Sequence, residues 1–223
     1  RIVAATAPAA ARPPAPANVS GAAIRRAALA AADALDHAES HLTELDSHAG
    51  DADLGISMVR GAAAIRGLPD GAWGTPAQSL TRIAEVLRRA IAGSSGPFYA
   101  TALLRGAREL RTDRPTAAEW ARAFASAVTS VAELGGAKRG DRTMLDALVP
   151  ASDAFSAALH EGIAPAQAWH RAVAAAEAGT AETASMHPRV GRAAYLGDRA
   201  LGKPDAGASA VLVWMRAVAA TLR

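Results

Sequence analysis

From Gly21 onward, apolar residues recur at helical spacing. Ile24, Ala28, Ala31, Leu35, Ala38, Leu42 and Leu45 step alternately by four and three, which draws one apolar stripe along a helix of about six turns. Ile56 to Arg66 is helical in pattern, with Gly61 its one breaker. Thr75-Pro76 opens a further helix with Leu80, Ile83, Leu87 and Ile91 on one face. Ser95-Gly96-Pro97 opens another, because proline fits near a helix start. Thr116 to Leu134 carries Trp120, Phe124, Val128 and Val131. Thr143 to Leu159 carries Leu145, Leu148 and Phe155, with a kink expected at Pro150. Ala164 to about Met186 follows, and Ala208 to Leu222 closes the pattern with Val211, Leu212, Met215 and Val218. The spacing therefore predicts an all-α chain of about eight helices. No segment alternates as a half-buried strand does. Short connections predict up-and-down antiparallel neighbours. Three loops interrupt the pattern: Leu45–Gly55, Gly135–Asp141 and Met186–Gly207. The third exceeds the ~12–15 residues of an ordinary connection.

Composition narrows the picture. The 223 residues are 51% hydrophobic yet only 4% aromatic, and alanine makes up the difference. A β-rich core wants Val, Ile, Tyr and Phe, whereas small residues suit closely packed helices. Cysteine is absent, so a disulfide scaffold, a cysteine zinc site, an iron–sulfur cluster and a thiol nucleophile are excluded. The net charge of +3 raises the question of nucleic acid. The cations are nearly all arginine, Lys138 and Lys203 being the only lysines. No basic stretch is interleaved with aromatics as a base-stacking surface would be, so neither nucleic acid nor, lacking a long apolar run, a membrane span is expected. Residues 1–20 hold four of the twelve prolines. Such alanine–proline tracts act as semi-rigid spacers. The expected division is an Ala/Pro-rich linker or tail over 1–20 and a helical domain over 21–223. A processed secretory tail, with Ala5-Thr6-Ala7 as its cleavage site, is the competing reading of the first segment.

The chemistry lies in the loops. The first, LDSHAGDADLGISM, places Asp46, Asp51 and Asp53 within eight residues. Three carboxylates so close repel one another unless a cation sits between them, and hard oxygen donors suit Mg²⁺, Mn²⁺ or Ca²⁺. Asp51 and Asp53 point to opposite sides in extended backbone, so the loop must curl for the three to converge. Gly50 relaxes the backbone, and Gly55 is expected to admit a ligand where the next helix begins. Acids followed by a helix start are what a metal–polyphosphate ligand needs. The alternative is an N-capping aspartate cluster on a solvated turn. An EF-hand is excluded, because Asp51-Ala52-Asp53 is not continued by the remaining ligands.

Gly93-Ser94-Ser95-Gly96-Pro97 leads small residues into a helix start, either a phosphate nest or an ordinary serine cap. Gly135 to Met144 sets glycines and cations before a helix, either for a nucleotide or as a flexible solvated loop. Gly191 to Gly207 combines Arg192, suited to phosphate, with Asp205 and Gly207. Gly197 to Lys203 mimics a P-loop but fails it: Pro204 stands where Ser or Thr should be, and no strand precedes it. His37 and His41 share a helix face without a third ligand, and His48 reads as a solvated loop histidine. No Ser–His–Asp set can be assembled, and no residue is assigned a catalytic role.

Together the blocks LDSHAGDADLG, GSSGPFYATALL, GAKRGDRTMLDALVPA and GRAAYLGDRALGKPDAGAS, in this order, resemble the L subunit or L domain of dihydroxyacetone kinase. The resemblance covers Gly21 to the C-terminus. It implies a closed barrel of eight antiparallel helices with the nucleotide in loops at one end. It implies two Mg²⁺ ions joining ATP or ADP phosphates to Asp46, Asp51 and Asp53. It places Leu54, Gly55, Ile56 and Ser57 along phosphates and ribose, and Ser94 and Ser95 at a phosphate. It sets Gly135 and Met144 around adenine, Arg192 as the basic contact, and Asp205, Ala206 and Gly207 at the final nucleotide turn. The family usually has His where Leu54 stands and Pro where Ala206 stands. Those departures concern substrate and phosphodonor, not phosphate binding. The resemblance further implies a cytoplasmic kinase whose sugar, dihydroxyacetone or a related short ketose, is held covalently by a separate K domain or subunit. ATP is the expected donor. The alternatives are a free L subunit whose bound ADP is rephosphorylated by a phosphotransferase-system protein, a metal-dependent phosphohydrolase, and a nucleotide-sensing adaptor without turnover.

Overall fold

The computed structural model describes residues 19–195 and 197–222. Most of the expected Ala/Pro segment, 1–18, lies outside them. Helices account for nearly everything described: α1 (Val19–His37), α2 (Glu39–Ala49), α3 (Leu54–Arg66), α4 (Pro76–Ala90), α5 (Ser95–Glu109), α6 (Ala117–Gly135), α7 (Leu145–His160), α8 (Pro165–Glu182) and α9 (Ala206–Ala219). No strand occurs among the described residues.

The long helix expected from the first stripe is divided at Ala38, which raises the count to nine. The break is slight, because the Ala38 N–H still reaches the Ala34 carbonyl (3.1 Å) and the Leu42 N–H the Ala38 carbonyl (2.9 Å). The apolar stripe therefore continues across it, and Leu35, Leu42 and Leu45 are all buried.

Local chemistry sets the helix ends. Thr75 accepts from the Gln78 N–H and Thr116 from the Glu119 N–H, each with the reciprocal bond of a capping box. Pro150 is accommodated inside α7. A proline has no N–H for the carbonyl four residues back, which here belongs to Asp146. Gly179 of α8 packs directly on that carbonyl, and any side chain at 179 would collide with it.

The alanine surplus is interhelical packing. Ala168, Ala172 and Ala176 form a fully buried row on α8, and Ala147 and Ala151 do the same on α7. Two cores result. One joins α1 to α4 with Ala206 and Ala210 of α9. The other joins α6, α7 and α8 with Ala208, Val211 and Met215 of the same helix. The second includes a chain of edge-on and tilted rings, Phe124, Phe155, Trp169 and Trp214.

Packing order positions the site. α1 packs on α3, each helix from α3 to α8 packs on its successor, α8 packs on α9, and α9 returns to α1. Consecutive packed helices joined by short turns alternate in direction. Every second connection therefore falls at the same end: 50–53, 91–94, 136–144 and 183–205.

Candidate functional site

These four connections carry the four sequence blocks, so alternation of helix direction is what gathers them. Side-chain contacts confirm the gathering. Lys203 Nζ stands 3.8 Å from Glu44 Oε1, tying the segment before α9 to α2. A Cβ on Gly207 would lie 3.6 Å from Met144. A Cβ on Gly135 would lie 3.1 Å from the Phe98 ring, and the Phe98 N–H bonds the Ser94 carbonyl.

The aspartate triad converges. One oxygen from each of Asp46, Asp51 and Asp53 falls within 4.8 Å of the others, a spacing able to hold a metal ion. Asp46 sits on α2 and not in a loop, since α2 runs on to Ala49 and shortens the connection to four residues. The curl that the Asp-x-Asp spacing demanded is made at Ala52, whose φ is +61°. An L-residue pays about 1–2 kcal/mol for that conformation, and such strain persists where the surroundings fix it. Ala52 and Arg142 are the two non-glycine residues with positive φ among the described residues, and both stand in site connections.

The capping alternative is also realised, by a different aspartate. Asp53 occupies the N-cap position of α3 without a side-chain capping bond. Asp46 Oδ2 instead accepts the N–H groups of Asp53 (2.9 Å) and Leu54 (3.2 Å). One carboxylate thus fixes the helix start and lies in the cluster. A side chain on Gly50 would collide with Asp46 Oδ1.

The neighbouring positions divide. Leu54 and Ser57 are buried, and Leu54 packs into the first core. Ile56 is 44% exposed, a large apolar side chain left in solvent beside the triad. Gly55 does not open a path for a ligand, as expected of it. Its Cβ direction is filled by Thr43 and the Glu39 carbonyl, so the glycine lets α3 lie against α2. Ser94 is exposed at the start of α5, Ser95 is half-buried, and Gly93 turns the chain with φ +66°. Arg192 stands in a 3-10 turn, Arg192–Tyr195, and its side chain lies outside the described residues. The P-loop mimic is a 3-10 turn over Gly197–Ala200, with no strand before it among the described residues. His37, His41 and His48 are exposed.

The 136–144 connection is not a flexible solvated loop. Asp146 is 1% exposed and accepts from the N–H groups of Gly140 (2.6 Å) and Thr143 (2.8 Å). Asp141 accepts from Lys138 N–H (2.9 Å). Arg142 is 2% exposed and reaches the carbonyls of Thr183, Ala200 and Lys203. Sequence reading missed Arg142, Asp146 and Thr183 as working parts; a charged pair in a glycine-rich turn before an apolar helix was the one available signal. Asp205 caps α9 through the Ala208 N–H (2.8 Å) and donates its own N–H to Thr183 Oγ1 (2.8 Å). Burial pushes its carboxyl up to about 6, with the Ala208 N–H and Arg142 opposing and Asp146 reinforcing the rise.

A surface groove between α4 and α5 is lined by Gln78, Arg82, Glu85 and Arg108. None of its lining residues belongs to the four connections, and Arg82 and Glu85 pair with each other there.

The chain is 38% identical over 189 residues to mouse triokinase/FMN cyclase, covering 83% of this chain and 32% of that protein. It is 32% identical over 181 residues to the ADP-binding subunit DhaL of the PEP-dependent dihydroxyacetone kinase of Escherichia coli, covering 80% of this chain and 86% of that subunit. It is 34% identical over 202 residues to D-erythrulose kinase of Mycolicibacterium smegmatis, covering 88% of this chain and 34% of that protein. The chain thus spans about a third of the long relatives and most of the short one. The fold matches all of this chain to 38% of the dihydroxyacetone kinase of C. freundii, with a TM-score of 0.71 at 24% identity. The same kinase has been solved with AMP-PNP and Mg²⁺ (TM-score 0.69). The DAK2 domain model matches residues 48–220, and the chain belongs to the DAK2 domain family.

Proposed function

We propose that this chain is the Mg²⁺–nucleotide module of a kinase for dihydroxyacetone or a related short ketose. The observation that carries the reading is the convergence of Asp46, Asp51 and Asp53 at the start of α3. The donor set is all carboxylate, which fits Mg²⁺. Such ions would neutralise phosphate charge; the family resemblance puts their number at two. Asp51 and Asp53 would hold them, together with the Asp46 oxygen turned toward Gly50. At the start of α5, where Ser94 makes no side-chain capping bond, backbone N–H groups suit phosphate oxygens; N–H groups opening α3 and α9 are engaged by Asp46 and Asp205. Ser94, Ser95, Gly135, Met144 and the Asp205–Gly207 turn border the same end. The ring of packed helices supports a closed barrel as the scaffold.

Phosphoryl transfer asks mainly for positioning and charge neutralisation; this chain's residues would supply the first directly and the second through the Mg²⁺ held by the triad. The sugar is then held by a separate K domain or subunit, in a cytoplasmic enzyme. ATP is the donor on this reading, which is favoured by the match to about a third of the longer triokinase and erythrulose kinase relatives. The match to most of the E. coli ADP-binding subunit favours a second reading, in which bound ADP is rephosphorylated by a phosphotransferase-system protein. No helix of the described residues is long and apolar enough to cross a membrane.

Asp51→Ala and Asp53→Ala are expected to abolish Mg²⁺–AMP-PNP binding in isothermal titration while the helical circular dichroism stays intact. Unchanged affinity in both variants would overturn the reading. Phosphate release by this chain alone would favour hydrolysis, and binding without turnover beside any K partner would favour an adaptor.

A further inference from the structure

We propose that Arg142 is a positioning residue for the nucleotide, holding the segment before α9 in register with the α6–α7 connection. This rests on the nucleotide-module reading and concerns how that site is held in shape. Arg142 Nε donates to the Thr183 carbonyl (3.2 Å), and Nη2 donates to the carbonyls of Ala200 (2.7 Å) and Lys203 (3.0 Å). Those acceptors span the whole approach from the end of α8 to α9. They lie outside α-helices; the Thr183 carbonyl also accepts the Met186 N–H (3.1 Å), and a buried carbonyl that loses a donor is costly. A guanidinium presents several N–H groups in a fixed fork, which a lysine cannot copy.

The backbone is committed to the same end. Arg142 holds φ +62°, a conformation an L-residue leaves unless its surroundings insist. Its neighbour Asp141 accepts the Arg189 N–H on its carbonyl (3.2 Å). Gly202 N–H reaches the Ala184 carbonyl (2.8 Å), and Asp205 N–H reaches Thr183 Oγ1 (2.8 Å). Arg142 therefore braces a segment whose far end is the Asp205–Gly207 turn, which itself abuts Met144. Nη1 is buried with no hydrogen-bond partner. A buried charge of this kind is poor stabilisation by itself, and its placement between two nucleotide-binding segments gives it a use. None of its partners lies on the α2–α3 connection, and its tie toward the triad is indirect, through the exposed pair of Lys203 with Glu44 on α2 (3.8 Å).

The test compares Arg142→Met and Arg142→Lys with the wild type in the full chain, using two probes: Mn²⁺ alone, read by electron paramagnetic resonance, and Mg²⁺–AMP-PNP, read by titration calorimetry. Loss of a group that positions ligand-touching residues typically costs about 10–100-fold in affinity. The expected result is a weakening of that order for AMP-PNP in Arg142→Met, a smaller one in Arg142→Lys, and Mn²⁺ affinity unchanged in both. Adding guanidinium at a sub-denaturing concentration to Arg142→Ala should recover part of the AMP-PNP affinity. Should Arg142→Met fail to fold, Arg142→Lys decides. Unchanged AMP-PNP affinity in the folded variants overturns the inference, as does a parallel fall of Mn²⁺ and nucleotide affinity tracking the loss of Tm, which marks a merely structural arginine. A wild-type chain that binds no AMP-PNP overturns the functional reading first, and this inference with it.

Discussion

The α2–α3 and α6–α7 connections stand at the same end of the helices and treat charge in opposite ways. In the first, Asp51 is exposed and Asp46 and Asp53 are half-buried, three like charges drawn together. In the second, Asp141, Arg142 and Asp146 are buried, and each is bound to backbone. The first arrangement keeps carboxylates presentable to a cation, with Asp46 also capping α3. The second spends its charges on backbone geometry and leaves few of them for a ligand. Both connections also contain a non-glycine residue at positive φ, so each is held in an unfavourable backbone state by what surrounds it.

This contrast predicts that stability and binding separate. The largest effect on folding is expected from Asp146→Ala, which takes the acceptor from the half-buried Gly140 and Thr143 N–H groups. At ~1–3 kcal/mol for each such group, the loss is about 3 kcal/mol, read as a lower urea midpoint at constant m-value. Asp51→Ala, by contrast, belongs with surface substitutions that stay within about 0.5 kcal/mol, although it is expected to abolish metal–nucleotide binding. Equal destabilisation by the two variants would break the comparison.

Gly50→Ala sharpens it from the other side. The added methyl collides with Asp46 Oδ1 and pushes the carboxylate out of the cluster. Metal affinity should fall about 10–100-fold, as for a lost supporting contact, checked by Mn²⁺ titration. The Asp46 cap on α3 is strained by the same shift, so stability should fall by about 1 kcal/mol.

A pH-dependent effect is expected at Asp205, which caps α9. Its carboxyl is pushed from 3.8 to about 6 by burial. Between those values the folded chain keeps a proton that the unfolded chain has released. The stability linked to this group is therefore complete below pH 4 and is lost as pH rises through 6. Asparagine caps a helix as well as aspartate and does not titrate. Asp205→Asn should accordingly gain on the wild type as pH rises from 4 to 7, by on the order of 1–2 kcal/mol. A Tm difference that stays flat across that range would refute the assignment.

What was legible in the chain was local. Helix α4 was marked by Thr75-Pro76 and α6 by Thr116, because caps act within one turn. The triad was legible because its three acids fall within eight residues, and the repulsion among them is independent of the fold. Even the curl at Ala52 followed from the two-residue spacing. Gly55 was misread, because a glycine before a helix signals close approach without saying what approaches; here it is α2. Asp46 was placed in a loop because the polar run after Leu45 hides the last turn of α2. Arg142 was out of reach altogether: its acceptors lie 41, 58 and 61 residues away.

The sequence by itself determined the all-α class, the small-residue helix contacts and the acid cluster, since periodicity, side-chain volume and like-charge repulsion act over a few residues. Only the tertiary structure decided that four separated connections share one end, that α9 divides its faces between two cores, and that Arg142 is a buried brace and not a solvated cation. Those outcomes depend on helix direction and on which carbonyls lack donors once the helices have packed, and neither is a property of any short stretch of chain.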